Sequence, residues 1–207
     1  MLLKIYEENP NEREIRMVCE CLSDGGVIIF PTDTLYAIGC SLNKQKAAEK
    51  VARLKGISIE KANFSIVCSD LSNISNYTPP IDNSVFRLMK QCLPGPYTFI
   101  MQGNSNVPRI FQHKKKTIGI RVPDNRICKA LTTELGNPLL VASVPEDEYV
   151  ENYTDPEILH DIYRNEIDIV IDGGYGGIEP STVVDCSAGG IEILRLGKGK
   201  EIEAYLN

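Results

Sequence analysis

Helical and extended signals alternate along this chain from one end to the other, and that alternation restricts the fold more than any other feature. It is the pattern of an α/β domain whose sheet is largely covered. Residues 11–22 read as a helix: Asn11 can cap, Glu14 stands three residues on as in a capping box, and Ile15, Val18 and Leu22 share one face. Gly25 and Gly26 stop it. Further helices are predicted near residues 43–55, 83–92, 125–135 and 155–165, each opening at an Asn or Asp able to cap, with Pro156 suited to the first helical position. Extended segments are predicted at 27–30, 65–67, 98–101, 117–122, 139–142, 168–171, 182–184 and 191–196, several of them continuously apolar as buried strands are. The acidic, apolar-poor stretch 146–155 reads as an exposed loop. One domain over residues 1–207 is expected.

No apolar run approaches the roughly 20 residues of a membrane span, since the stretch 25–40 is broken by Pro31, Thr32, Asp33 and Thr34. The first residues lack the basic-then-apolar order of a signal peptide, so the cytoplasm is the expected address and no membrane partner is expected. Seven scattered cysteines, an odd number, point to reduced thiols. Cys19 and Cys21 are the close pair, but C-x-C on a helix sends its thiols to different faces, which disfavours zinc. A formal net charge of −6 opposes non-specific attraction to nucleic acid unless a local basic patch overrides it.

Phe30-Pro31-Thr32-Asp33-Thr34-Leu35-Tyr36-Ala37-Ile38-Gly39 follows a buried-type strand with hydroxyls, a carboxylate and a phenol, in a stretch that Pro31 bars from regular pairing. Polar groups leaving a strand end line ligand sites in open α/β sheets, although a plain polar turn fits equally well. Pro94-Gly95-Pro96-Tyr97-Thr98 is a rigid turn feeding a strand, and Pro180-Ser181-Thr182 opens another with two hydroxyls. Gly173-Gly174-Tyr175-Gly176-Gly177 has neither a lysine nor a following helix, so it reads as a flexible surface turn and not a phosphate loop. For a bound triphosphate, Lys55, Lys61, Arg121 and Arg195 are the cationic candidates. Serine hydrolysis is disfavoured: there is no G-x-S-x-G elbow, and neither His113 nor His160 has an evident orienting carboxylate.

In collinear order over about residues 11–199, these segments resemble the YrdC-domain family of threonylcarbamoyl-AMP synthases. The resemblance rests on Gly25 to Gly39, Leu54-Lys55, Pro94 to Thr98, Ile120-Arg121-Val122-Pro123, Pro180 to Asp185 and Arg195-Leu196-Gly197. Lys115 to Pro123 and Val85 to Lys90 look most like its YciO branch. The resemblance implies a YrdC-like α/β fold, a twisted mixed β-sheet with flanking helices around a large concave cleft. It also implies a reaction in which L-threonine, bicarbonate and ATP give threonylcarbamoyl-AMP and pyrophosphate, linked to a tRNA modification, with Mg2+ arriving on the nucleotide. Carried over by motif, Thr32, Thr34, Tyr36, Thr98 and Ser181 would hold threonine. Lys55, Lys61, Thr98, Arg121, Ser143 and Arg195 would face the nucleotide, with Lys55, Arg121 and Ser143 nearest the chemistry.

Two departures from the synthase pattern stand out. Ile57 occupies the arginine position of a Lys-x-Arg pair, and Ser143-Val144-Pro145 replaces Ser-Ala-Asn. Losing a donor at a developing charge costs about 3 kcal/mol of transition-state stabilisation, so weak or altered activity is expected. The alternative is a non-catalytic module binding tRNA or double-stranded RNA through a cationic rim of Arg109, Lys114, Lys115, Lys116 and Arg126. An unrelated carbamoyl or phosphosugar reaction in the same cleft is a third reading.

Overall fold

The computed structural model describes residues 1–58, 64–108 and 116–206. Among them, ten strands form one mixed sheet: β1 (Leu2–Lys4), β2 (Val27–Phe30), β3 (Ala37–Ser41), β4 (Ser65–Val67), β5 (Tyr97–Gln102), β6 (Thr117–Arg121), β7 (Leu139–Ser143), β8 (Ile169–Asp172), β9 (Thr182–Asp185) and β10 (Glu192–Arg195). Their spatial order is β1-β8-β2-β3-β7-β4-β6-β5-β9-β10. The helices are α1 (Glu12–Ser23), α2 (Gln45–Leu54), α3 (Asn83–Cys92), α4 (Arg126–Leu135), α5 (Glu151–Thr154), α6 (Pro156–Tyr163) and α7 (Ile202–Tyr205), with a 3-10 turn at Leu71–Asn76.

The caps explain most helix starts. Asn11 Oδ1 accepts from the Arg13 and Glu14 amides, Asn125 Oδ1 from the Cys128 amide, and Asp155 Oδ1 from the Glu157 amide, with Pro156 opening α6. Two starts differ from expectation. Asp82, not Asn83, caps α3 through the Ser84 amide at 2.8 Å, and α2 begins at Gln45 with no side-chain cap on Lys44. Residues 151–154, expected as loop, make the single turn α5.

Two strands escaped the sequence pattern. β1 is three residues long and exists through parallel pairing with β8, from a segment more than 160 residues away. Pro31 does end β2, as expected, yet the chain folds back at once: Phe30 pairs with Ala37, and β3 runs antiparallel to both β2 and β7. Pro31 to Tyr36 is therefore a tight connection hung from the middle of the sheet.

The period-two alternation of each strand decides what lies on each face. On β2, Val27 and Ile29 join Ala48 and Val51 of α2, Met89 of α3 and Leu159 of α6. Ile28 and Phe30 point the other way, to Ile15, Val18 and Leu22 of α1 and Ile127 and Leu131 of α4. Val18 and Leu22 are fully buried, each contributing about 1.5–3 kcal/mol of apolar burial. Helices α1 and α4 pack on each other over the β2 side of this second face. On β5, Tyr97, Phe99 and Met101 enter the first core, so Thr98, Ile100 and Gln102 turn to the second face, where they line an open cleft.

Candidate functional site

The cleft has a volume of about 1010 Å3. Its floor is the second face of β6, β5 and β9, which no helix among the described residues covers: Thr117, Gly119 and Arg121, then Thr98, Ile100 and Gln102, then Val183 and Asp185 with Ser181 just before β9. Gly119 lies beside Ser65 and Thr98, and a methyl group there would press on both side chains. On β10 the register with β9 shifts between Ile193 and Arg195, so that the consecutive residues Leu194 and Arg195 both border the cleft. Thr34, Lys55, Arg121, Ser181 and Arg195 come from five separate segments and line this one concavity, together with Ser143 and Thr98.

Around Thr34 the polar groups are tightly engaged. Arg121 Nη2 donates to Asp33 Oδ1 at 2.6 Å and to Thr34 Oγ1 at 3.0 Å. Asp33 Oδ2 accepts the Asp124 amide at 3.1 Å, and Lys198 Nζ donates to the Asp33 carbonyl at 2.6 Å. The Asp33 and Arg121 side chains are only 7% and 10% exposed, so this is a buried ion pair. Burial pushes the Asp33 carboxyl up, opposed by the Arg121 guanidinium, the Asp124 amide and Lys198. At 2.6 Å the contact is as short as a charge-assisted hydrogen bond. Arg121 Nε is buried with no hydrogen-bond partner among the described residues. Thr32 stands behind Thr34 and does not line the cleft: its hydroxyl donates to the Leu35 carbonyl at 2.7 Å, and its oxygen accepts the Thr34 amide at 3.1 Å.

Further along the floor, Thr98 Oγ1 and Ser181 Oγ lie 2.8 Å apart, both buried. Arg195 holds the Ser181 carbonyl with two bonds, from Nε at 3.2 Å and Nη2 at 2.8 Å. Lys55, at the C-terminal end of α2, donates to the Ser143 carbonyl at 2.8 Å. Burial pulls the Lys55 ammonium below the ordinary lysine value, with Glu146 opposing. Ile57 and Phe64 border the cleft beside it.

Tyr36 is fully buried, and its phenol is turned toward the glycine-rich segment, donating to the Gly174 carbonyl at 2.7 Å and accepting the Gly173 amide at 3.2 Å. The ring forms cleft wall, and its hydroxyl is committed elsewhere. The glycine segment lies at the surface, as its composition suggests, with Gly174, Tyr175 and Gly177 exposed, but its inner side is tied down. The Gly176 and Gly177 amides donate to the carbonyls of Thr154 and Thr34. A Cβ would meet Pro31 Cγ at 2.7 Å from Gly173 and the Tyr36 ring at 2.6 Å from Gly176, and from Gly177 it would collide with the Thr34 carbonyl. These glycines permit close packing under the Thr34 loop.

Of the expected cationic rim, the described members do not sit together. Lys116 precedes the first residue of β6, while Arg126 follows its far end and donates to the Glu8 carbonyl at 2.7 Å. Lys61, Arg109, Lys114 and Lys115 lie outside the described residues. Sequence reasoning passed over Asp33, Asp185 and Lys198 as site elements. The signal for Asp33 was a carboxylate set between two threonines, but its partner lies 88 residues on.

Residues 20–197 match the Sua5/YciO/YrdC family model, described as "Telomere recombination". A protein of Escherichia coli strain K12 called uncharacterized protein YciO is 42% identical over 205 residues, covering 98% of this chain and 97% of its own. A threonylcarbamoyl-AMP synthase of Coxiella burnetii strain RSA 493 is 30% identical over 185 residues, 89% of this chain and 97% of its own. This chain belongs to the Sua5/YciO/YrdC family. The crystal structure of E. coli YciO superposes with a TM-score of 0.89 at 41% identity, covering 97% of both chains. The P. abyssi Sua5 complexed with L-threonine shares the fold at a TM-score of 0.89 and 23% identity, covering 100% of this chain and 61% of that one. No helix among the described residues is long and apolar enough to cross a membrane.

Proposed function

We propose that the cleft performs chemistry of the threonylcarbamoyl-AMP synthase type, holding L-threonine and ATP side by side and, with bicarbonate, forming threonylcarbamoyl-AMP and pyrophosphate for a tRNA modification. The observation that carries this reading is the convergence of Thr34, Lys55, Thr98, Arg121, Ser181 and Arg195 on one concavity. Support comes from the 30% identical relative that is a threonylcarbamoyl-AMP synthase and from the shared fold of a Sua5 complexed with L-threonine.

The chemistry suits such a site. An oxygen of threonine carbamate forms a bond to the α-phosphorus as the bond to pyrophosphate breaks, with the electron pair leaving on pyrophosphate. That step depends on alignment and charge neutralisation, and no nucleophile from the protein is needed. Lys55 and Arg195 are positioned for phosphate or carboxylate oxygens, and the Thr98–Ser181 hydroxyl pair for the substrate. Mg2+ would arrive with the nucleotide and supply further charge neutralisation at its phosphates. Ile57 lines the cleft where the synthases carry an arginine, and turnover is therefore slow.

The test is exchange of labelled pyrophosphate into ATP, stimulated by L-threonine and bicarbonate together. Stimulated exchange is expected. Its complete absence in protein that still binds ATP would remove the synthase chemistry and leave a binding protein.

A further inference from the structure

Along one rim of the cleft runs an apolar strip that the chemistry above does not use. Tyr149, Tyr175, Ile178 and Leu196 are each more than half exposed. Direct contacts join their segments into one run. The Gly176 amide donates to the Thr154 carbonyl at the end of α5, which ties Tyr175 to the turn that follows Tyr149 and Val150. Ile178 follows Gly177, and the Lys198 amide donates to the Pro180 carbonyl at 2.9 Å, which ties Ile178 to Leu196. Pro180 and Leu194, at this end, line the cleft itself. Single exposed apolar residues are ordinary, but contiguous ones rimmed by charge mark a docking surface.

The two ends of the strip carry opposite charge. At the α5 end stand Asp147, Glu148 and Glu151, all exposed, and at the β10 end stand Lys198 and Lys200, also exposed. Lys198 Nζ is held by a neutral oxygen, the Asp33 carbonyl. Lys200 reaches Glu179 at 3.4 Å yet stays 74% exposed, so a second carboxylate can share it. Glu201 beside them is turned to the Tyr97 hydroxyl.

We infer that this strip is the contact surface for a second copy of the chain, related by a two-fold axis near Ile178. A strip with an apolar middle and opposite charges at its ends is complementary to itself when one copy is turned end for end. Tyr175 and Ile178 then pack on their own counterparts. The acidic end of each copy meets the basic end of the other, so the charge pairing occurs twice in the dimer. A nucleic acid fits this strip poorly, since its phosphates would face Asp147, Glu148 and Glu151. Pro180 and Leu194 belong to the cleft wall, so the partner copy stands beside the cleft mouth. The inference does not depend on which ligand the cleft holds.

The experiment is sedimentation velocity of the whole protein over a concentration series at low ionic strength, where exposed charges are least screened. Wild type is expected to sediment as a dimer that dissociates on dilution. Ile178→Glu, a change at an exposed position, is expected to weaken the dimer by at least about 100-fold, because the substitution enters the interface twice. Glu151→Lys and Lys200→Glu each set like charges against one another, and each weakens the dimer by about 10-fold. Combined in one chain, the two changes restore the pairing with its sense reversed, a rescue that general loss of the fold would not give. A monomer at concentrations up to about 1 mM overturns the inference, and is the result expected if the strip serves a different protein. A dimer that Ile178→Glu leaves unchanged overturns it too, by placing the contact on another face. So does a double charge swap as weak as the two single losses added together.

Discussion

Lys55 Nζ and the Ser143 carbonyl lie 2.8 Å apart, joining the end of α2 to the end of β7 across one wall of the cleft. The ammonium is held by a neutral oxygen and partly desolvated, which leaves its charge available to a ligand. Lys55→Ala is expected to abolish the rise in melting temperature caused by Mg-ATP. For wild type, ATP at 100 times its dissociation constant adds about 2.7 kcal/mol of stability. An unchanged ATP shift in the variant would take Lys55 off the nucleotide.

The same lysine has a pH signature. Burial lowers its folded pKa below the ordinary lysine value of 10.5, so between these two values the unfolded chain binds more protons than the native one. Its contribution to stability is therefore unfavourable at neutral pH and is relieved as pH rises through the folded pKa toward 10.5. ATP binding, which needs the charged form, falls over that same window. Titrations of stability and of ATP affinity against pH should show these opposite slopes in wild type, and both should flatten in Lys55→Met.

Breaking the Asp33–Arg121 pair from one side leaves a buried charge without its partner. Asp33→Ala is expected to cost about 3–5 kcal/mol by urea denaturation. Replacing both members, as in Asp33→Ala with Arg121→Met, recovers much of that loss, because the remaining cost is a gap and not an orphaned ion. Additive losses in the double variant would show that the pair is not energetically coupled.

Gly177 supports the Thr34 loop from below. In Gly177→Ala the new methyl group must displace the Thr34 carbonyl, a backbone atom that cannot rotate away. A loss of about 1–3 kcal/mol in stability is expected, with weaker L-threonine binding at temperatures where the fold persists. Tyr36→Phe unties the other side of the segment, leaving the Gly173 amide unpaired at a cost of about 1–3 kcal/mol.

Ile57→Arg restores the guanidinium that the synthase pattern carries two residues after Lys55. The variant is expected to raise threonine-stimulated pyrophosphate exchange by about 100-fold, the scale of one donor at a developing charge. An unchanged rate would mean that the slow step lies elsewhere.

Much of this architecture was readable in the sequence because its causes are local. Asn11, Asn125 and Asp155 announce their helices through caps within three residues, and the apolar runs of β2, β7 and β8 declare buried strands. What escaped depends on distant partners. β1 is a strand because of β8, and β3 because β2 and β7 flank it. The Asp33 carboxylate stood out within a polar segment, but its partner Arg121 comes from 88 residues away. The five-residue glycine segment suggested looseness, whereas its missing side chains let it pack against Pro31, Thr34 and Tyr36. Cleft residues on β5 and β6 were half legible: alternation separates the faces, but which face lacks a covering helix is a property of the assembled sheet.

The most direct test of the account is a crystal structure of the protein with L-threonine and a non-hydrolysable ATP analogue. The account predicts both ligands in the one cleft, with the amino acid against Thr34 and Ser181 and phosphate oxygens against Lys55 and Arg195. Ligand bound elsewhere on the molecule, with this cleft holding only solvent, would contradict it.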